Sequence, residues 1–278
     1  MKVIRARYAG ACYGVNRALS LVDEAALSGA STVHTLGPLI HNPQVVSTLR
    51  DRGVEEADSV ESVEEGILVI RSHGVAPEVI EQAEQKGLQV VDATCPHVMK
   101  AQIAARQLQE QGYQVLIVGE LGHPEVEGIR AYAGDQGIVV QEPSDLPDVL
   151  ASEMVGIVVQ TTQTESSLAA IIAALEQRGV APVVHNTICF ATRQRQEAAI
   201  ELAKEVDVLL VVGGRNSGNT TRLAQLCKMD CPQTYHIEEA AELKADWFAG
   251  ASIVGITAGA STPEDQIVAV ETALESLL

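Results

Sequence analysis

The sequence predicts an α/β protein made of three similar lobes with mainly parallel sheets. Short β-branched runs alternate with Ala-, Leu- and Glu-rich stretches along the whole chain, the pattern of strand–helix–strand units. Aromatic residues are 3% of the 278 and the hydrophobic set is 46%, so Val, Ile, Leu and Ala must build the core, as they do in parallel strands buried on both faces. The segments VVDATC at 90–95 and VVHNTIC at 183–189 each run from a strand through a polar residue and Thr to Cys, then into a helix. A third cysteine, Cys12, also lies between a strand and a helix. Three such units predict lobes of roughly 90 residues. They are 1–94 with Cys12, 95–188 with Cys95, and 189–278 with Cys189 and two anion-binding loops.

The elements follow in order. A strand is expected over 3–7 (VIRAR) and a helix over 15–27, where Ala and Leu recur among polar residues. Strands follow over 67–71 (ILVIR) and 89–92 (QVVD), and a helix over 98–110 directly after Cys95 and Pro96. The apolar runs 114–118 (QVLIV), 138–141 (IVVQ) and 156–160 (GIVVQ) are further strands. The Ala-rich stretch 165–178 is a helix and 180–185 (VAPVVH) a strand. A helix over 193–205, a strand over 208–212 (VLLVV) and a helix over 219–227 come next. The chain closes with a strand over 252–257 and a helix over 263–276, with Pro263 at its first position.

Thirty-seven acidic against 19 basic residues give a formal charge of −18, a field that repels nucleic acid and anionic membrane surfaces. No run of about 18 apolar residues is present. The opening MKVIRARYAGACYG has neither a signal-peptide core nor the Ser-rich character of a transit peptide, so a cytoplasmic protein is expected. Five cysteines, an odd count, fit thiols or metal ligands better than a disulfide framework.

Cys12, Cys95 and Cys189 each stand alone in sequence, unlike the close pairs of structural zinc sites. Isolated thiolates from three lobes suit a cluster with one iron left without a protein ligand. A following helix favours each thiolate through its N-terminal dipole. Burial as ordinary core residues is the competing explanation for any one of them. Cys227 and Cys231, with His236 beyond, form half of a zinc site at most.

Two loops carry the chemistry of anion binding. In VVGGRNSGNTTRL (211–223) a strand ends in two glycines, and Ser217, Gly218 and Asn219 open a helix. ITAGASTPE (256–264) repeats the arrangement with Ser261. Ordinary helix capping accounts for the same residues without a ligand. His41, His73 and His123 lie beside Pro or Gly at strand-to-helix junctions and supply donors for phosphate oxygens. Glu125, after Pro124, is a candidate proton donor with Glu127 as its competitor; Thr161 and Thr162, at a strand end, are candidate relays.

Together these segments resemble the 4-hydroxy-3-methylbut-2-enyl diphosphate reductase family. The matching pieces are GACYGVNRA, HNPQVV, SHGV, DATCP with Lys100 beyond it, GHPEVEG, QTT, NTICFATRQRQ, GGRNSGNTTRL and GITAGASTPE, in the family's order from Gly10 to Glu264. The resemblance implies lobes around a central cavity holding one [4Fe-4S] cluster on Cys12, Cys95 and Cys189. It implies a diphosphate held by His41, His73, His123, Ser217, Gly218, Asn219 and Ser261, with Glu125 as proton source and Thr161 assisting. It further implies two-electron removal of the substrate hydroxyl as water, with electrons from a ferredoxin or flavodoxin. Two departures are Ala11, where the family often has an aromatic residue, and Gly218, where it often has a second Ser. The rival readings are a hydroxyl-binding cluster dehydratase, a cluster-based redox sensor and a zinc protein.

Overall fold

The computed structural model describes residues 1–29, 32–134 and 137–277. Twelve strands and nine α-helices alternate among the described residues. The strands are β1 (Lys2–Arg5), β2 (Val33–Leu36), β3 (Val54–Ala57), β4 (Ile67–Ile70), β5 (Gln89–Asp92), β6 (Gln114–Val118), β7 (Ile138–Val140), β8 (Val155–Val159), β9 (Val183–His185), β10 (Val208–Val212), β11 (Thr234–Ile237) and β12 (Ile253–Ala258). The helices are α1 (Tyr13–Leu27), α2 (Pro43–Asp51), α3 (Pro77–Gln85), α4 (Pro96–Glu110), α5 (Pro124–Ala133), α6 (Glu165–Gln177), α7 (Phe190–Ala203), α8 (Gly218–Asp230) and α9 (Glu264–Leu277).

The strands form three four-stranded sheets in the orders β3-β2-β4-β5, β7-β6-β8-β9 and β11-β10-β12-β1, and every pairing is parallel. The α/β architecture of three similar sheets is therefore as the sequence predicts. Each sheet has its second strand at one edge, then its first, its third and its fourth. The fourth place beside β12 is taken by β1, so the strand ahead of Cys12 belongs to the sheet of β10–β12.

The chain divides into two compact units. One comprises Met1–Val15, His41–Val45 and Phe190–Leu278 and contains the β11-β10-β12-β1 sheet; the other comprises Asn16–Ile40 and Val46–Cys189 and contains the remaining two. Alternation along the strands fills both faces of a sheet. Val208, Leu210 and Val212 pack with Ile267, Val270 and Leu274 of α9, whereas Leu209 and Val211 pack with Ala199 and Leu202 of α7 and Leu223 of α8. In the second unit Leu116, Val118, Ile157 and Val159 face Leu168, Ile171 and Leu175 of α6, while Val115, Ile117 and Val158 face α4 and α5. Side chains of this size contribute roughly 1.5–3 kcal/mol each on full burial, which fixes the strand ends from which the loops depart.

Candidate functional site

In each sheet the cysteine follows the fourth strand. Cys12 lies between β1 and α1, Cys95 between β5 and α4, and Cys189 between β9 and α7. The main-chain N–H of each donates to a carbonyl in the loop after the third strand of its own sheet: Cys12 to Ala260 at 3.0 Å, Cys95 to Ser72 at 2.9 Å and Cys189 to Thr161 at 2.9 Å. The same bond thus recurs three times at topologically equivalent places. All three cysteines are half-buried. Cys227 and Cys231 differ: both are buried, burial pushes the Cys227 thiol up to about 12, and the Cys231 thiol points at the carbonyls of Val206 and Asp207. His236 bonds the Gly213 carbonyl at 2.8 Å, so its ring is committed to the glycine loop. Among the described residues, no three His, Cys, Asp or Glu side chains are grouped closely enough to hold a metal ion.

In the second unit, His123 caps α5, its Nδ1 accepting the Glu125 N–H at 3.1 Å, which leaves the proton of a neutral ring on Nε2. The rings of His73 and His123 meet edge to face with centroids 5.7 Å apart. Glu125 is 2% exposed, and its two carboxylate oxygens accept from the Thr161 N–H at 2.6 Å and the Thr161 hydroxyl at 2.9 Å. The carbonyl of Thr161 accepts the Cys189 N–H, so one threonine joins the buried acid to a cysteine loop. Glu127, the competing acid, accepts from the Gly122 N–H at 3.2 Å and pairs with Arg130 at 2.7 Å.

In the first unit, Ser217 caps α8 with its hydroxyl accepting from the Thr220 N–H at 3.4 Å, and Gly218 is the first residue of that helix. Asn219 is 3% exposed, and neither atom of its side-chain amide has a hydrogen-bond partner. A buried, unsatisfied amide costs about 1–3 kcal/mol, which makes Asn219 a candidate ligand-binding residue. The Ser261 hydroxyl donates to the His41 carbonyl at 3.1 Å, and the Ser261 carbonyl accepts from Asn42 at 3.0 Å. His41, Ser217, Asn219 and Ser261 therefore lie in the unit of Cys12, whereas His73, His123, Glu125 and Thr161 lie in the unit of Cys95 and Cys189.

Asn42, beside the candidate His41 and bonded to the candidate Ser261, is a residue that the sequence did not single out. Its Oδ1 accepts the N–H groups of Gln44 and Val45, capping α2, and its amide bonds both Ser261 and Gln266. The signal was an Asn directly before Pro43, in HNPQ as in GHPE. Gln160, fully buried, is a second: its Oε1 accepts the Glu120 N–H at 3.0 Å beside Thr161.

Residues 3–275 match the model of a family described as LytB protein. A relative from Pelobacter propionicus named 4-hydroxy-3-methylbut-2-enyl diphosphate reductase is 49% identical over 264 residues, 95% of this chain and 94% of the relative. A solved structure of (E)-4-hydroxy-3-methyl-but-2-enyl diphosphate reductase, described as the terminal enzyme of the non-mevalonate pathway, is 45% identical with a TM-score of 0.73, covering 99% of this chain and 100% of that chain. The corresponding reductase from Plasmodium falciparum is 24% identical with a TM-score of 0.92, covering 98% of this chain and 87% of that one, and shares the fold.

Proposed function

The chain belongs to the LytB family, and on that premise we propose that it reduces 4-hydroxy-3-methylbut-2-enyl diphosphate to isopentenyl and dimethylallyl diphosphate. Two electrons and two protons enter; the allylic C–O bond breaks, one proton leaves with the hydroxyl as water and the other goes to the allylic carbon skeleton. Cys12, Cys95 and Cys189 would hold one [4Fe-4S] cluster. Their repeated placement and half-exposure suit thiolate ligands, while Cys227, with its thiol pushed up by burial, does not. When bound, such a cluster supplies one-electron equivalents and an iron without a protein ligand as a Lewis acid toward the substrate hydroxyl.

The chain's own residues do the rest. His41, His73, His123, Ser217, Gly218, Asn219 and Ser261 hold the diphosphate, with backbone N–H groups at the start of α8 adding donors at its positive end. Glu125 carries the proton and Thr161 orients its carboxyl through two hydrogen bonds. A ferredoxin or flavodoxin delivers the electrons, and the reaction belongs to the cytoplasm. No helix among the described residues is long and apolar enough to cross a membrane.

The observation that carries this reading is the N–H bond repeated at the three cysteines. Iron and sulfide analysis of anaerobically prepared protein tests it. Cys12→Ser, Cys95→Ser and Cys189→Ser should each lose the intact cluster, and Cys227→Ser and Cys231→Ser should keep it. Iron retained by Cys12→Ser and lost from Cys227→Ser would reverse the ligand assignment.

A further inference from the structure

Two of the helices that follow the cysteines carry an arginine bonded to the loop of another cysteine. Arg17, five residues after Cys12 on α1, donates from Nη1 to the Thr94 carbonyl at 3.1 Å and from Nη2 to the Asp92 carbonyl at 3.4 Å. Thr94 is the residue immediately before Cys95. Arg195, six residues after Cys189 on α7, donates from Nε at 3.1 Å and Nη2 at 2.7 Å to the carbonyl of Gly10, two residues before Cys12. Its Nη1 is anchored on the Ala191 carbonyl of its own helix at 2.8 Å. The two contacts run from the Cys12 helix to the Cys95 loop and from the Cys189 helix to the Cys12 loop.

The two arginine contacts are too specific for surface decoration. Arg195 is 7% exposed, and burying a guanidinium is unfavourable unless its fork of donors is met. The carbonyl it grips belongs to a glycine with φ +94°, where an added Cβ would stand 2.9 Å from Ile267 and 3.3 Å from the Thr262 carbonyl. Gly10 is thus held on its carbonyl by Arg195, while two residues on the Cys12 N–H is held by Ala260. A cation bonded one or two residues from a thiolate also favours added negative charge there.

We propose that Arg17 and Arg195 are positioning residues that latch the main chain in front of Cys95 and Cys12 respectively, fixing the thiolates and favouring the reduced cluster. This rests on the reading of those cysteines as cluster ligands. The test uses anaerobically reconstituted native protein and Arg17→Gln, Arg195→Gln and Arg195→Lys. The readouts are the cluster's midpoint potential and the rate of iron release to a ferrous chelator. The Gln variants should assemble the cluster, release iron at least about 10-fold faster and show a lower potential. Arg195→Lys should recover the potential, because the charge remains, and recover only part of the retention, because the fork is lost. Should Arg195→Gln fail to fold, Arg17→Gln, at a half-buried position, carries the same comparison. Native potential and native iron release in the folded Gln variants overturn the proposal and leave the cluster reading standing. So does an equal shift in Arg52→Gln, whose exposed side chain pairs with Asp23. A native protein that assembles no cluster overturns both.

Discussion

Glu125 and Glu127 are separated by one residue on the first turn of α5, yet their surroundings give them different chemistry. Glu127 is tied to Arg130 and a loop N–H, whereas Glu125 is buried with both oxygens on Thr161. Glu125→Gln preserves the shape and can still accept the Thr161 N–H, but it carries no transferable proton. Turnover should fall by roughly 10²-fold or more with cluster content and substrate affinity retained, as read from steady-state kinetics alongside iron analysis. Full activity would move the role to another group. Asn219 makes the opposite kind of statement. Because its amide atoms lack protein partners, Asn219→Ala should change folding stability by less than about 1 kcal/mol while weakening diphosphate binding clearly. Calorimetry of substrate binding and a denaturation curve separate the two effects; normal affinity in the variant would reduce Asn219 to part of the helix end.

At the level of elements, the candidate residues stand at the carboxyl ends of parallel strands, where α/β folds place their loops. The repeat explains which loops matter. Asn42, His123 and Ser217 each cap the helix that follows the first strand of a sheet, and the three cysteines each follow the fourth. Gly213 follows β10 at φ +141°, and a Cβ there would lie 2.5 Å from the Thr262 hydroxyl oxygen and 3.0 Å from that of Thr220. Gly213→Ala should therefore cost about 1–3 kcal/mol of stability and displace the loop that ends in Ser217, lowering diphosphate affinity as well. Unchanged melting and binding would mean that the loop has another route.

The strong apolar runs 114–118 and 208–212 were legible because every residue in them is buried. The strands β3 (VEEA) and β11 (TYHI) escaped notice because they are edge strands of four residues with polar interiors. β2 escaped because His34 interrupts its short run. The nine-residue helices α2 and α3 begin at Pro43 and Pro77, prolines that read equally as turn residues. The cysteines, histidines and Ser–Gly–Asn loop were legible because their residue types and neighbours are unusual. Arg17, Arg195 and Asn42 were not, because what they bond is main chain far away in sequence.

At the scale of the whole molecule, a formal charge of −18 gives an anionic substrate no long-range attraction, so binding depends on local donors. Caps at helix starts, loop histidines and a buried unsatisfied amide are donors of that kind. In the proposed function this donor set serves a two-electron removal of a hydroxyl at a three-cysteine cluster. Its most direct test is an anaerobic turnover experiment in which a titrated low-potential reductant and the diphosphate products are counted together. Two reducing equivalents should be consumed per molecule of isopentenyl plus dimethylallyl diphosphate formed, with no product from protein stripped of iron. Product formation without consumption of reductant, or undiminished turnover by iron-free protein, would contradict it.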